Sequence, residues 1–280
     1  MPIRRPAVAG SFYPAEPEEL RRLIRDSFVH PLGPGRLPPS PETADRLVAV
    51  VAPHAGYVYS GPVAAHSYLH VSSLRRPDLI VIVAPNHYGI GSGVSAYKSG
   101  EWETPLGRMK VDEAAVEELA SETGIVDFDP AAHQMEHSLE VQLPFLQTIY
   151  GDSVPFVPVS ISFQDLGTTK ALADGVAKLA KTRKTVLVAS SDLTHYEPAD
   201  EARRKDMALI SEVEKIDPEG FYSTLTRLEV TACGFGAIST IMQAAKLLGL
   251  RRGELLKYAS SGDTTGDKSQ VVGYGSLRFV

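Results

Sequence analysis

Three short segments place a histidine beside other groups able to hold a cation or move a proton. They are Pro53-His54-Ala55-Gly56-Tyr57, Pro85-Asn86-His87-Tyr88-Gly89 and Ser190-Ser191-Asp192-Leu193-Thr194-His195-Tyr196. Imidazole titrates near neutrality and is a common metal ligand, so it suits either task. Each segment follows a short apolar run, so each histidine falls within a few residues of the end of an expected buried strand. In open α/β sheets ligands gather at the carboxyl ends of strands. One such histidine alone reads as a hydrogen-bonded core or loop residue. Three of them, among eight histidines in 280 residues, point to convergence on one pocket. Asp192 precedes His195 by three positions, where its carboxylate either orients an imidazole or caps the next turn. His66 and His70 fit a helix surface instead.

Cys233 is the chain's one cysteine. Thr231-Ala232-Cys233-Gly234 stands at the entrance to an expected buried helix, where the macrodipole would lower a thiol pKa. The competing reading is an inert core cysteine. A single cysteine excludes an internal disulfide and a multi-cysteine zinc site, and it favours a reducing, cytoplasmic home. Glu136-His137-Ser138-Leu139-Glu140 is expected to open a helix running to Tyr150, with His137 and Glu140 on one face. A helical diiron site needs a second such helix, and the sequence holds none. Glu136 and His137 are left with either a supporting place behind a site or a plain helix start. Gly89-Ile90-Gly91-Ser92-Gly93 follows a strand but precedes no helix, so it is a poor dinucleotide loop. Gly262 to Ser269 has the wrong spacing for a phosphate loop, and no Gly-x-Ser-x-Gly elbow exists to anchor a serine hydrolase.

The elements that must position these residues follow from periodicity. Apolar, β-branched runs at 47–52, 79–84 and 185–189 read as buried strands, and 156–161 reads as a fourth. Pro155 and Pro158 suggest an edge or a bulge there. Further strands are expected at 255–260 and 271–280. Helical spacing fills 18–28, 62–70, 112–123, 137–150, 167–181, 198–215 and 234–248. Strands alternating with helices predict an α/β fold with a central, mostly parallel sheet covered on both faces. Residues 30–41 hold five prolines and two glycines and read as a loop. No shift of composition marks a boundary, so 1–280 is expected to be one domain.

Composition removes several classes of function. Hydrophobic residues are 43% and charged residues 22%, as in an ordinary globular protein. A chain of this length buries roughly 70–75% of its unfolded surface and needs no metal merely to fold. With 28 Lys and Arg against 34 Asp and Glu, the net charge is −6. That argues against nucleic-acid binding. The longest uncharged apolar stretch, 230–245, is too short and too polar to span a membrane. Arg4 and Arg5 precede no apolar run, so no signal segment is expected.

The ordered motifs resemble one known family. Arg5-Pro-Ala-Val-Ala-Gly-Ser-Phe-Tyr-Pro14, Ala52-Pro-His54-Ala-Gly-Tyr57, Pro85-Asn-His87, Thr104-Pro-Leu106, Glu136-His137-Ser138, Ser190-Ser-Asp192 with His195, Ala232-Cys233-Gly234 and Tyr258-Ala-Ser-Ser261 look like the Memo family. This is the middle protein of the AmmeMemoRadiSam gene set. The resemblance implies a fold similar to the class III extradiol (LigB-type) dioxygenases, which are non-haem iron enzymes. It implies a metal-binding trio at His54, His87 and Cys233, with Asp192 and His195 as the adjacent polar pair and His195 as the acid/base. Glu136 and His137 would stand behind the ligands. Extradiol enzymes complete the iron site with a carboxylate, whereas this chain offers Cys233. A softer thiolate shifts preference toward copper(I), iron(II) or zinc. The implied cofactor is one metal ion, iron(II) or copper ahead of zinc, and the implied activity is a metal-dependent oxidoreductase. Two other uses fit the same residues: a binding module for a phosphotyrosine-type peptide or small anion, and a zinc hydrolase with His195 as base. The gene set also implies a functional link to radical SAM and AMMECR-type proteins.

Overall fold

Four runs of Val, Ile, Leu and Ala have almost no polar side, so they are stable only as strands covered on both faces. The computed structural model describes residues 2–38 and 47–280. In chain order the first half holds β1 (Ile3–Arg4), α1 (Pro17–Val29), β2 (Leu47–Ala52), α2 (Tyr57–Val71), β3 (Leu79–Pro85), β4 (Val94–Ala96), β5 (Glu101–Thr104), β6 (Gly107–Lys110), α3 (Glu113–Thr123) and β7 (Asp127–Phe128). There follow α4 (Ala131–Gln134), a 3-10 turn (Glu140–Gln142), α5 (Leu143–Tyr150), β8 (Phe156–Ile161), α6 (Leu166–Lys181), β9 (Thr185–Ser190) and β10 (His195–Glu197). The chain ends with α7 (Ala199–Lys215), α8 (Pro218–Arg227), α9 (Phe235–Leu247), β11 (Gly253–Ser260), α10 (Ser261–Thr265) and β12 (Val271–Phe279).

The main sheet runs β10-β12-β2-β9-β3-β8-β4-β7, with β11 also paired to β12. Its centre, β2-β9-β3-β8, is parallel, while β12 and β4 join it antiparallel. The fold is α/β in one domain, parallel where it is thickest and mixed toward the edges. Helix α2 covers one face with α1 and α5 packed on it, and α9 covers the other with α6. Among the described residues no helix is long and apolar enough to cross a membrane.

Three expectations need correction. Pro158 lies in an interior strand, because β8 pairs with both β3 and β4. Its carbonyl accepts from Tyr97 N, just past the last residue of β4. The N–H that proline lacks therefore faces the side where that ladder ends. Helix α2 starts at Tyr57 and carries Pro62 inside it, five residues ahead of the expected start. The proline deprives the Val58 carbonyl of its helical donor, at a residue that is itself exposed. The helix expected over 137–150 begins only at Leu143, after the 3-10 turn. Pro144 has no N–H for a helical bond back to Glu140, and at the second helical position it needs none. The loop expected at 30–41 lacks regular structure through residue 38, and residues 39–41 lie outside the described residues.

What holds 136–142 irregular is a buried ion pair. β1 lies parallel to β5 with Arg4 opposite Trp102, and its guanidinium sits 4.4 Å over the indole ring. Arg4 donates to the Glu140 carboxylate, to the His133 carbonyl and, at 2.7 Å, to the Glu136 carbonyl. Glu140, itself fully buried, also accepts from Ala7 N, Val8 N and the Tyr13 hydroxyl. Removing one member of a buried pair leaves the other charge uncompensated. Arg4→Met is therefore expected to cost about 3–5 kcal/mol, read as a lower urea midpoint with an unchanged slope. A midpoint within error of wild type would show that the N-terminal strand is not fastened by this pair.

His133 lies beside the same pair, fully buried. Burial first, and the Arg4 charge next, push its imidazole down to about 3. The folded value lies below the unfolded one, so the neutral ring contributes stability in full above pH 6.5. That contribution is lost as pH falls through about 3. Urea melts at pH 7 and pH 5 are expected to show wild type losing more stability than His133→Gln. Equal losses would mean that the ring titrates freely.

Candidate metal centre

Three strand exits meet above the parallel core. His54 leaves β2 two residues past its end, His87 leaves β3 in the same way, and the 191–195 segment leaves β9. The His54 and His87 rings stand edge to face with centroids 5.2 Å apart. Cys233 Sγ lies 3.1 Å from His54 Nε2. The potential ligand atoms of His54, His87 and Cys233 all fall within 4.8 Å of one another. Tetrahedral bonds of about 2.0–2.3 Å separate ligand atoms by roughly 3.3–3.8 Å, so little closure would seat one ion. Gly234 makes the approach of α9 possible: a Cβ there would stand 2.3 Å from the Ser190 carbonyl oxygen.

The hydrogen bonds settle which nitrogen of each ring is available. Ser190 Oγ donates to the Ser138 carbonyl at 2.7 Å and accepts from Gln142 Nε2. Its proton is thus engaged, so His54 Nδ1, 2.8 Å away, must be the donor in that contact. His87 Nδ1 lies 2.9 Å from Glu136 Oε1 and donates to that carboxylate. Both rings therefore direct an Nε2 lone pair into the cluster, the tautomer a metal ligand requires. Two imidazole nitrogens and a sulfur suit one soft or borderline cation. His87, Glu136 and His137 also lie close enough for a cation, but the His87 Nδ1 proton is already spent on Glu136. That carboxylate works behind His87, while His137 stacks on the His87 ring at 4.7 Å.

Burial sets the charges. It pushes the His54 imidazole well down, reinforced by the rings of His137, His87 and His195. Burial also takes His137 down to about 4 against the attraction of Glu136. Burial works to raise the Glu136 carboxyl, but the hydrogen bond from His87 leads the interactions that bring it down to about 2. Asp192 is pushed up to about 6 by burial, although the backbone N–H groups of His54 and Ala55 pull the other way. The expectation of a lowered thiol at Cys233 fails. Burial first, then the Asp192 carboxylate, push it well up. Helix α9 starts only at Phe235, two residues past the cysteine.

Asp192 acts on the His54 loop, accepting from His54 N at 2.8 Å. The His195 ring is held by carbonyls instead: Nδ1 lies 2.7 Å from Leu193 O and 3.0 Å from Thr231 O. Two acceptors on Nδ1 make it the protonated nitrogen and leave Nε2 as the base of the neutral ring. His195 is near enough for its charge to act on both His54 and Asp192. His66 lies apart from the cluster, bonded through Nε2 to Leu32 O. Sequence reasoning missed Gln142, the part of Ser190 in orienting His54, and Thr231, whose hydroxyl accepts from His195 N at 2.7 Å. Nothing local marks these residues, since each acts on a partner far along the chain.

An α/β sheet whose carboxyl edge gathers two histidines and a cysteine defines a protein with a metal-capable site. Comparison with known proteins narrows the class. The family model described as Memo-like protein matches residues 4–278, and the chain belongs to that family. A MEMO1 family protein of Methanopyrus kandleri is 47% identical over 278 residues, covering 99% of this chain and 98% of that protein. Another, from Sulfolobus acidocaldarius, is 48% identical over 284 residues and covers 99% of each. Among solved structures, an uncharacterised protein of Escherichia coli K12 aligns with a TM-score of 0.51 at 15% identity, covering 83% of this chain and 99% of that one. That likeness concerns the fold.

Because Glu136 fixes the His87 tautomer, Glu136→Gln is expected to weaken metal retention by about 10–100-fold. Competition against a chelator of known affinity measures this, with circular dichroism as the control for folding. Unchanged affinity would release Glu136 from any part in orienting His87.

Proposed function

We propose that the protein is a metal-dependent oxidoreductase of the non-haem type, with one ion held by His54, His87 and Cys233. The observation that carries this reading is the pair of Nε2 lone pairs, each fixed by a partner on Nδ1, clustered with one sulfur. A structural zinc site would close its fourth position with protein, as Cys₂His₂ sites do. Among the described residues the donor set stops at three. The bound ion would supply Lewis acidity and, as iron(II) or copper, one-electron chemistry. Iron(II) and copper rank ahead of zinc for this set because the reading is redox and the thiolate is soft.

The chain's own residues divide the remaining work. Glu136 and Ser190 orient the two imidazoles. Asp192 holds the His54 backbone. His195 Nε2 takes a proton from the ligand and returns it, steadied by the carbonyls of Leu193 and Thr231. The site takes a small molecule, and a thiolate ligand suits a reducing compartment such as the cytoplasm. Cys233 must lose its proton to bind the ion, so uptake is coupled to proton release.

The test pairs metal content with turnover. Protein expressed in iron-, copper- and zinc-supplemented media is expected to carry about one ion per chain by mass spectrometry and to consume oxygen with a reducing substrate. Cys233→Ser is expected to weaken copper or zinc retention by at least about tenfold while melting near wild type, because a hydroxyl is a far poorer ligand for soft ions. His195→Ala should keep its metal and lose turnover. Unchanged stoichiometry in Cys233→Ser would remove the cysteine from the ligand set. Retention of zinc alone, with no oxygen consumed under any loading, would overturn the redox reading in favour of hydrolysis or binding.

A further inference from the structure

Tyr196 follows His195 directly and, at 73% exposure, is the most exposed large hydrophobic residue described. Its backbone is left-handed, with φ 61°, which brings Cβ of an L residue too close to the next carbonyl. The cause is a mismatch of register. His195 faces Val272 and Glu197 faces Val271, so Tyr196 is the extra residue of a β-bulge, a device that re-aims a side chain.

Helix α7 anchors the bulge on both sides. Buried Asp206 accepts from Thr194 N at 2.9 Å and from the Thr194 hydroxyl at 2.6 Å. Lys205 donates to Glu197 at 2.5 Å. Strain persists where its surroundings over-determine it, and such places cluster at ligand sites. Packing does not account for this one. The ring stands in solvent, and among the described residues its one ring neighbour is His195, inclined at 68° with centroids 5.7 Å apart.

Other exposed rings share the carboxyl edge: Tyr59 beyond β2, Tyr88 beyond β3 and Phe163 beyond β8. Tyr196 borders the His195 ring on the same strand exit as Asp192, the carboxylate that accepts from His54 N. We propose that Tyr196 is a specificity-determining residue whose ring, displayed by the bulge beside His195, packs on a flat unsaturated group of a small molecule bound at this edge. The polar end of that molecule reaches the donor trio, and for that end the assignment rests on the metal-site reading above.

Three carboxylates with one head group and different bodies test this by calorimetry on the zinc-loaded protein: acetate, cyclohexanecarboxylate and benzoate. Wild type is expected to prefer benzoate over cyclohexanecarboxylate by about tenfold, the scale of one good ring contact. Tyr196→Phe should keep the preference and Tyr196→Ala should bring it near one, with acetate affinity the same in all three. Tyr196→Gly should lose the preference yet melt about 2 °C higher, since glycine accepts the left-handed backbone. No ring preference in wild type, or an undiminished one in Tyr196→Ala, overturns the assignment. A lower melting point for Tyr196→Gly does so too, because the ring would then be structural. Zinc content and acetate binding judge the metal reading separately. If both are absent, the benzoate ratio on metal-free protein still decides the role of Tyr196.

Discussion

A carboxylate with no access to water must find donors for its lone pairs, and Glu140 finds four: the Arg4 guanidinium, the Tyr13 hydroxyl and the backbone N–H groups of Ala7 and Val8. Every one comes from the first thirteen residues, more than a hundred positions away. The N-terminal segment is thereby bound to the stretch after α4, and that stretch cannot relax into a helix without giving up these bonds. Arg4 reinforces the constraint by capturing the carbonyls of His133 and Glu136. Glu136 then faces His87, and Ser138 faces Pro85 O and Ser190. The orientation of the imidazoles descends from this pair. The pair contributes more to geometry than to net stability, because desolvating both charges offsets much of their attraction.

The parallel core supplies the other half of the geometry. Three adjacent parallel strands end at one edge and release their loops in one direction, so residues far apart in sequence meet without any long excursion. β9 lies between β2 and β3, which places its exit segment between those carrying His54 and His87. Cys233 arrives from the other direction, at the start of the helix that covers β2, β9 and β3. A glycine beside it allows backbone to approach backbone. Sheet order, helix placement and one missing Cβ bring the sulfur to the imidazoles.

The strands were legible because burial on both faces leaves an unbroken apolar run that local pattern reveals. Their exits were legible for the same reason, and with them His54, His87, Asp192 and His195. The misreadings share a different cause. Over 137–150 the apolar spacing is helical, yet the first six residues answer to Arg4, Tyr13 and Ser190, partners that no local window contains. Cys233 stands before a helix as its sequence suggests, but its acidity is governed by burial and by Asp192, a neighbour created by the fold. Helix α8 had a local signal in Asp217-Pro218, where the Asp217 side chain caps Gly220 N. The bulge at Tyr196 had none, since it arises from register against β12.

The electrostatics of the cluster explain why these residues tolerate one another. His54, His87, His137 and His195 lie together with Cys233 in partly dry surroundings, and four protonated rings there would repel strongly. The fold resolves this by keeping His54 and His137 neutral and by leaving the thiol protonated. Each neutral group keeps a lone pair or a displaceable proton directed inward. A dication reverses the sign of every one of these effects: burial strengthens its attraction to the lone pairs, it stabilises the thiolate, and the raised Asp192 carboxyl becomes easier to ionise. The features that make the cluster costly as a set of acids and bases are those that favour a cation. The charge on Glu136 compounds this, because a carboxylate behind His87 raises the basicity of the nitrogen that would face an ion.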